Sequence, residues 1–320
     1  MADPAMGDAP FHSLPGDPAS SARCFWLRAD DGLRIRAGHW PAREAAGTVL
    51  LFPGRTEYVE KYNELALELN AAGYHVLTLD WRGQGLSDRL IADPRPGHVH
   101  AFRDYQRDVV ELLVTAGEMS LPRPWHLLAH SMGGAIGLAA MQDGMPVSSA
   151  AFSAPMWGLG LSRATIALAR VVTTIARHLG HAERAAPRSG GYEPLVLKRT
   201  FHENLLTSDG TRFGRMIAEA AAWPELAIGG VTNHWLAEAL AECRRLAPLP
   251  APDVPTLVGL GSDERIVSAE AIRQRVERWP EARLMLLPGA RHEPLMERDR
   301  IRTPFVQAII AHFAGATRQG

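Results

Sequence analysis

Ser131 lies between an apolar run, 125–130, and a glycine-rich stretch that opens Met132-Gly133-Gly134. A serine on a sharp strand-to-helix turn exposes its hydroxyl, and small flanking residues let the helix pass close to the strand. The pattern is G-x-S-x-G with Ala129 in place of the first glycine. The start of a helix also aims free backbone N–H groups at a developing oxyanion. The plainer reading is a serine that only caps a helix. Residues farther along argue against it.

A serine hydroxyl is a poor nucleophile without a base. His292 follows the last predicted strand and precedes the final predicted helix, in the turn-rich segment Pro288-Gly289-Ala290-Arg291-His292-Glu293. With the chain order serine, acid, histidine, the acid falls after a strand predicted at 255–261. The loop there reads Gly261-Ser262-Asp263-Glu264-Arg265 and offers two adjacent carboxylates, Asp263 and Glu264. Neighbours on an extended loop point different ways, so one of them orients His292; residue type alone does not choose. An oxyanion needs two N–H donors. Met132 supplies one, and the turn Pro53-Gly54-Arg55 places the other at Arg55. Such a set performs acyl transfer.

The elements that must hold these residues follow from hydrophobic period. Residues 23–29 and 33–40 alternate around Asp30-Asp31-Gly32 and read as an opening hairpin. Runs at 48–53, 74–79, 125–130, 148–154, 255–261 and 282–287 read as strands, several apolar throughout as strands covered on both faces should be. Helix patterns occupy 60–72, 102–118, 132–143, 268–278 and 302–314. This alternation predicts an α/β fold with a mostly parallel sheet. Between 155 and 250 it lapses into helix signals, which reads as a helical cap inserted into a core of 23–154 and 251–320. Residues 1–22, rich in Pro, Ala, Gly, Ser and Asp, read as a flexible tail with no signal-peptide pattern.

At this point the motifs resemble the monoacylglycerol lipase and bacterial lysophospholipase group of α/β-hydrolases, over roughly residues 30–315. Pro53-Gly54-Arg55-Thr56-Glu57 with Tyr62 resembles that group's H-G-x-G-E…Y oxyanion segment. Asp80-Trp81-Arg82-Gly83-Gln84-Gly85-Leu86-Ser87 matches its D-x-R-G-x-G-x-S loop, and Ala129–Gly134 resembles its G-H-S-M-G-G elbow. Pro53 and Ala129 depart from the pattern, but neither removes an N–H that the chemistry uses. Aligning Arg265-Ile266-Val267 with the group's D-R-I-V favours Glu264 over Asp263 as the acid. The resemblance implies an α/β-hydrolase fold, no metal or organic cofactor, and a single-chain lipid ester as substrate: a monoacylglycerol or a lysophospholipid. A short-chain carboxylesterase, an acyltransferase and a non-catalytic binding member are the competing readings. A nucleophilic-aspartate enzyme is disfavoured, because the elbow carries serine.

The totals agree. The 320 residues suit one large core with an insertion, and 46% apolar residues can fill it. Lys and Arg number 34 against 35 Asp and Glu, so no basic face for nucleic acid is expected. Cys24 and Cys243 form neither a metal pattern nor a disulfide framework, which suits the cytoplasm. His98-Val99-His100 has no third ligand at metal spacing and reads as a polar loop. Asp80 and Arg82 read as structural, bonding to neighbouring loops and Glu57. In the cap, 162–180 reads as a helix with Ser162 as N-cap, ending at Gly180. Arg163, Arg170 and Arg177 form one basic stripe along it. Such a helix either packs on the core with its arginines in water or rests on a membrane surface. Trp157, Phe201 and Trp235 are candidate substrate-binding residues. No feature specifies an oligomer.

Overall fold

Three strands without a charged side chain other than histidine make the centre of the sheet. β3 (Gly47–Phe52), β5 (Trp125–His130) and β6 (Ser149–Ser153) are buried along their whole lengths. The chain is described by a computed structural model covering residues 7–317. β1 (Arg23–Arg28), β2 (Arg34–Trp40), β4 (Tyr74–Leu79), β7 (Thr256–Gly261) and β8 (Ala282–Leu287) complete an eight-stranded sheet of order β1-β2-β4-β3-β5-β6-β7-β8. The β1–β2 and β2–β4 pairs are antiparallel and the rest parallel.

Helices cover both faces, each over its own apolar cluster. α2 (Tyr105–Glu118), α3 (Met132–Gln142) and α8 (Ala269–Glu277) supply Leu112, Ile136 and Ile272 to one. α1 (Asn63–Ala71) and α9 (Asp299–Thr317) supply Leu65, Leu69, Ile309 and Phe313 to the other. The chain leaves β3 toward β4 but returns to β5 on the other side of β3. That crevice at the carboxyl ends of the strands is where open α/β sheets bind ligands. Phe52 pairs in register with Ala129, so the loops after β3 and β5 are neighbours.

α4 (Arg163–His178), α5 (Leu195–Lys198), α6 (Gly210–Ala222) and α7 (Asn233–Leu246) lie between β6 and β7. Ser162 caps α4 by accepting from Thr165 N–H, and Gly180 follows its end with φ 75°. Among the described residues no helix is long and apolar enough to cross a membrane.

The expected flexible tail over 1–22 is corrected from Gly7 onward; residues 1–6 lie outside the described residues. Ala9 N–H donates to Cys24 O and Trp26 N–H to Gly7 O, so this segment pairs with β1. It thereby covers groups that an edge strand would leave open. His12 then stacks on Trp223, and Asp17 pairs with Arg215. The last helix also begins earlier than predicted, at Asp299, an acidic residue suited to the positive end of a helix.

Candidate active site

Ser131 adopts φ 49°, ψ −116°, left-handed backbone that a non-glycine residue holds only when its surroundings force it. Those surroundings are tight. A Cβ at Gly133 would strike the carbonyl oxygens of Phe52 and Pro53, and one at Gly134 would strike Pro155. Ala129 is fully buried with its methyl accommodated, which explains why the first glycine of the pattern is dispensable here.

The turn aims Ser131 Oγ at His292, whose Nε2 lies 2.8 Å away. On the far side of the ring, His292 Nδ1 lies 2.8 Å from Glu264 Oε2. The other oxygen of Glu264 accepts from the N–H groups of Ile266 and Val267 at 2.6 and 3.0 Å. Burial pushes this carboxyl up, but the bond from His292 and the two backbone donors outweigh it and hold Glu264 below the usual range. Asp263 is not brought in: its carboxylate accepts from Ser262 Oγ.

Met132 opens α3, so its N–H has no partner within the helix. In the loop after β3, Gly54 N–H donates to Glu57 Oε2, and the next N–H along is that of Arg55. Both Met132 and Arg55 line a cavity of about 340 Å³ that contains Ser131 and His292. Its walls are mainly apolar, with Leu195, Val196, Leu206, Met216, Ile228 and Val267 among them.

Trp235 is on that wall; Trp157 and Phe201 are not. Trp157 donates to Gly134 O and packs against Phe152 and Trp279, buttressing the elbow from below. Phe201 turns toward Phe213, with Arg291 over its ring. The structural reading of Asp80 and Arg82 holds for the neighbouring loops but not for Glu57. Asp80 accepts from Arg36 and from the N–H groups of Val59 and Leu86, and Arg82 pairs with Asp108 and Asp31; neither reaches Glu57.

A buried charged cluster at this site escaped sequence reasoning. Lys61 Nζ bridges Glu57 at 2.7 Å and Glu293 at 2.8 Å. Tyr62 OH donates to Glu57 at 2.5 Å. Lys61 thus ties the loop carrying Arg55 to the loop carrying His292. Glu57 and Lys61 stand at i, i+4, the spacing of a helical ion pair, and that was the available signal. Burial raises Glu293, and Glu57 nearby raises it further, against the pull of Lys61. Glu57, His130 and Glu293 have spacing that could hold a metal, the one such group among the described residues. The Lys61 ammonium already bridges its two carboxylates.

An eight-stranded, mostly parallel sheet with a serine elbow after β5, a histidine loop after β8 and helices inserted after β6 is an α/β-hydrolase. The monoglyceride lipase of Saccharomyces cerevisiae superposes with a TM-score of 0.71 at 18% identity, covering 96% of this chain and 100% of that one, which speaks for the fold alone. Residues 43–299 match the model of the family described as serine aminopeptidase, S33, and the chain belongs to that family. It is 32% identical over 308 residues to lysophospholipase L2 of Escherichia coli K12, covering 90% of this chain and 88% of the relative. It is 26% identical over 280 residues to the monoacylglycerol lipase of Mycolicibacterium smegmatis, covering 84% and 89%.

Proposed function

We propose that the protein hydrolyses carboxylic esters of single-chain lipids, monoacylglycerols or lysophospholipids, through an acyl-enzyme. The observation that carries this is the continuous chain Glu264–His292–Ser131, with both links at 2.8 Å, opening into an apolar cavity. Ser131 Oγ attacks the ester carbonyl carbon as His292 Nε2 takes its proton. The carbonyl oxygen becomes an oxyanion held by the N–H groups of Met132 and Arg55. Collapse breaks the bond to the alcohol oxygen, which leaves with the proton from His292. Water then attacks the acyl-enzyme, giving one proton to His292, which returns it to Ser131 as the fatty acid departs. Glu264 keeps the imidazole in the tautomer and orientation that both steps need. The names of the relatives support the lipid ester class.

The test is intact mass after exposure to a fluorophosphonate, with Ser131→Ala as control, followed by p-nitrophenyl esters from acetate to palmitate. One adduct, absent in the variant, with preference for medium or long chains, is expected. An unmodified protein would end the reading; a preference for acetate would move it to a short-chain esterase.

We also infer peripheral contact with a lipid surface through α4. Leu168, Val171, Ile175 and Leu179 follow helical spacing on one face and are 62%, 56%, 53% and 65% exposed. Thr173 is the one buried residue of α4, and α4 packs on α7. An apolar stripe facing solvent beside a basic one is the pattern of an interfacial helix.

A further inference from the structure

The charges in the cavity are not balanced. Glu57 and Glu293 share Lys61. Arg55, Arg188 and Arg199 also line the cavity, and among the described residues none of the three forms an ion pair; Arg199 donates to Glu203 O. Among the described residues Arg55 Nη1 donates to Gly229 O, at 2.9 Å, and its guanidinium lies 5.9 Å from the Trp235 ring centre. Ile228 and Trp235 are themselves cavity wall. The segment carrying Arg188 packs on the same strip: Ala186 N–H donates to Val231 O, and Gly230 abuts Ser189. Of these arginines, Arg55 and Arg188 therefore flank one corner of the wall, the strip around Gly229 and Gly230. Arg188 also holds φ 62°, left-handed backbone of the kind that clusters at ligand clamps. Arg188 is exposed, whereas the Arg55 guanidinium is withdrawn from water without a counter-ion, which is costly. Burial accordingly lowers Arg55 to about 10.

We propose that Arg55 and Arg188 form a phosphate-binding corner of the cavity, selecting esters whose alcohol portion carries a phosphate group over neutral monoacylglycerols. This rests on the ester-hydrolase reading of Ser131. The spacing suits it. The Arg55 guanidinium stands a similar number of bonds from its own backbone N–H as a phosphate on the third glycerol carbon stands from the carbonyl oxygen of an ester on the first, and Arg55 lines the cavity. Arg55 thus offers its N–H to the ester carbonyl and its side chain to the phosphate of one molecule. Planar guanidinium forks match phosphate oxygens, which also makes a phosphate a better ligand than a hydroxyl.

The experiment compares kcat/KM for a lysophospholipid and a monoacylglycerol of the same acyl chain, in wild type, Arg55→Gln, Arg188→Asn and the double variant. Glutamine keeps the backbone N–H at position 55, and asparagine tolerates the left-handed backbone at 188. The ratio of the two kcat/KM values is expected to favour the lysophospholipid in wild type and to fall about tenfold or more in the double variant, chiefly through KM. Arg188→Asn alone, on an exposed loop, should lower the ratio even if Arg55→Gln folds poorly. A wild type that cleaves monoacylglycerol equally well, or a ratio that survives both substitutions, overturns the proposal and leaves the hydrolase reading intact. Loss of all ester cleavage by wild type would overturn the hydrolase reading instead. The corner is then judged by binding to Ser131→Ala protein: dodecyl phosphate should bind tighter than laurate, and equal binding would assign the cations to a fatty-acid carboxylate and overturn the proposal.

Discussion

Glu264 Oε2 meets His292 Nδ1 at 2.8 Å, while Asp263, the preceding residue, keeps its carboxylate on Ser262. Asp263 N–H donates to Ala290 O, which fixes the loop, and Glu264 is locked by the N–H groups of Ile266 and Val267. The backbone, not side-chain chemistry, makes the choice between two carboxylates.

Glu264→Ala is therefore expected to lower kcat by about three to four orders of magnitude, as removal of the orienting acid does in such triads. Asp263→Ala should stay within a few-fold of wild type. Steady-state assays of the two variants on one p-nitrophenyl ester decide it; an active Glu264→Ala protein would reject the assignment.

Lys61→Met would leave Glu57 and Glu293 buried without their shared cation. Breaking a buried ion pair from one side costs about 3–5 kcal/mol. Urea unfolding should show a lower midpoint of that order, and activity should fall because the Arg55 and His292 loops lose their tie. A midpoint equal to that of wild type would mean that the cluster is not fully charged.

Gly133→Ala should be worse than its chemistry suggests. The added methyl meets two backbone carbonyls, Phe52 and Pro53, which cannot rotate away. A loss of about 1–3 kcal/mol and displacement of the Arg55 loop are expected, seen as a lower Tm and lost fluorophosphonate labelling. Gly137→Ala, which meets the end of the Leu127 side chain, should be milder.

Acid should destabilise the fold before the carboxylates titrate. Burial pushes His39, His98, His126 and His130 down from the ordinary histidine range to about 4. The unfolded chain takes up these protons near pH 6.5, while the folded chain refuses them until about pH 4, so stability falls as the pH drops through that window. Tm measured from about pH 7 to about pH 5 should decline steadily; a flat profile would refute buried neutral histidines.

Leu168→Ser/Ile175→Ser should leave the fold unharmed, since both side chains face solvent. Flotation with vesicles should drop about tenfold if α4 rests on lipid. Equal flotation of wild type and variant, or none by either, would remove α4 from that role.

Much of this was legible in the sequence for identifiable reasons. The strands at 125–130 and 282–287 have their predicted bounds, because apolar runs there are closed by turn residues. Ser131 and His292 stood out because their loops follow strands whose order is fixed by the fold. Trp157 and Phe201 misled, since a large aromatic side chain in a cap looks the same whether it faces a ligand or a neighbouring helix. Lys61 and Arg188 stayed hidden for a different reason. Their environments are built by segments distant in the chain, and a lone cation in a sequence gives no sign of whether a carboxylate waits for it.

The helices over the site are anchored very unequally. α6 is bound to the body by Arg212 with Glu64 and Asp299, by Arg215 with the N-terminal Asp17, and by Tyr58 with Glu219. α4 has Thr173 as its one fully buried residue and packs on α7. Mutational tolerance should divide along the same seam. Segment 161–180 is free to drift in sequence, trading one class of amphiphile for another at little cost to folding, whereas drift in α6 would loosen the frame itself. Adaptation of this enzyme to new lipids would then be written mainly in one helix.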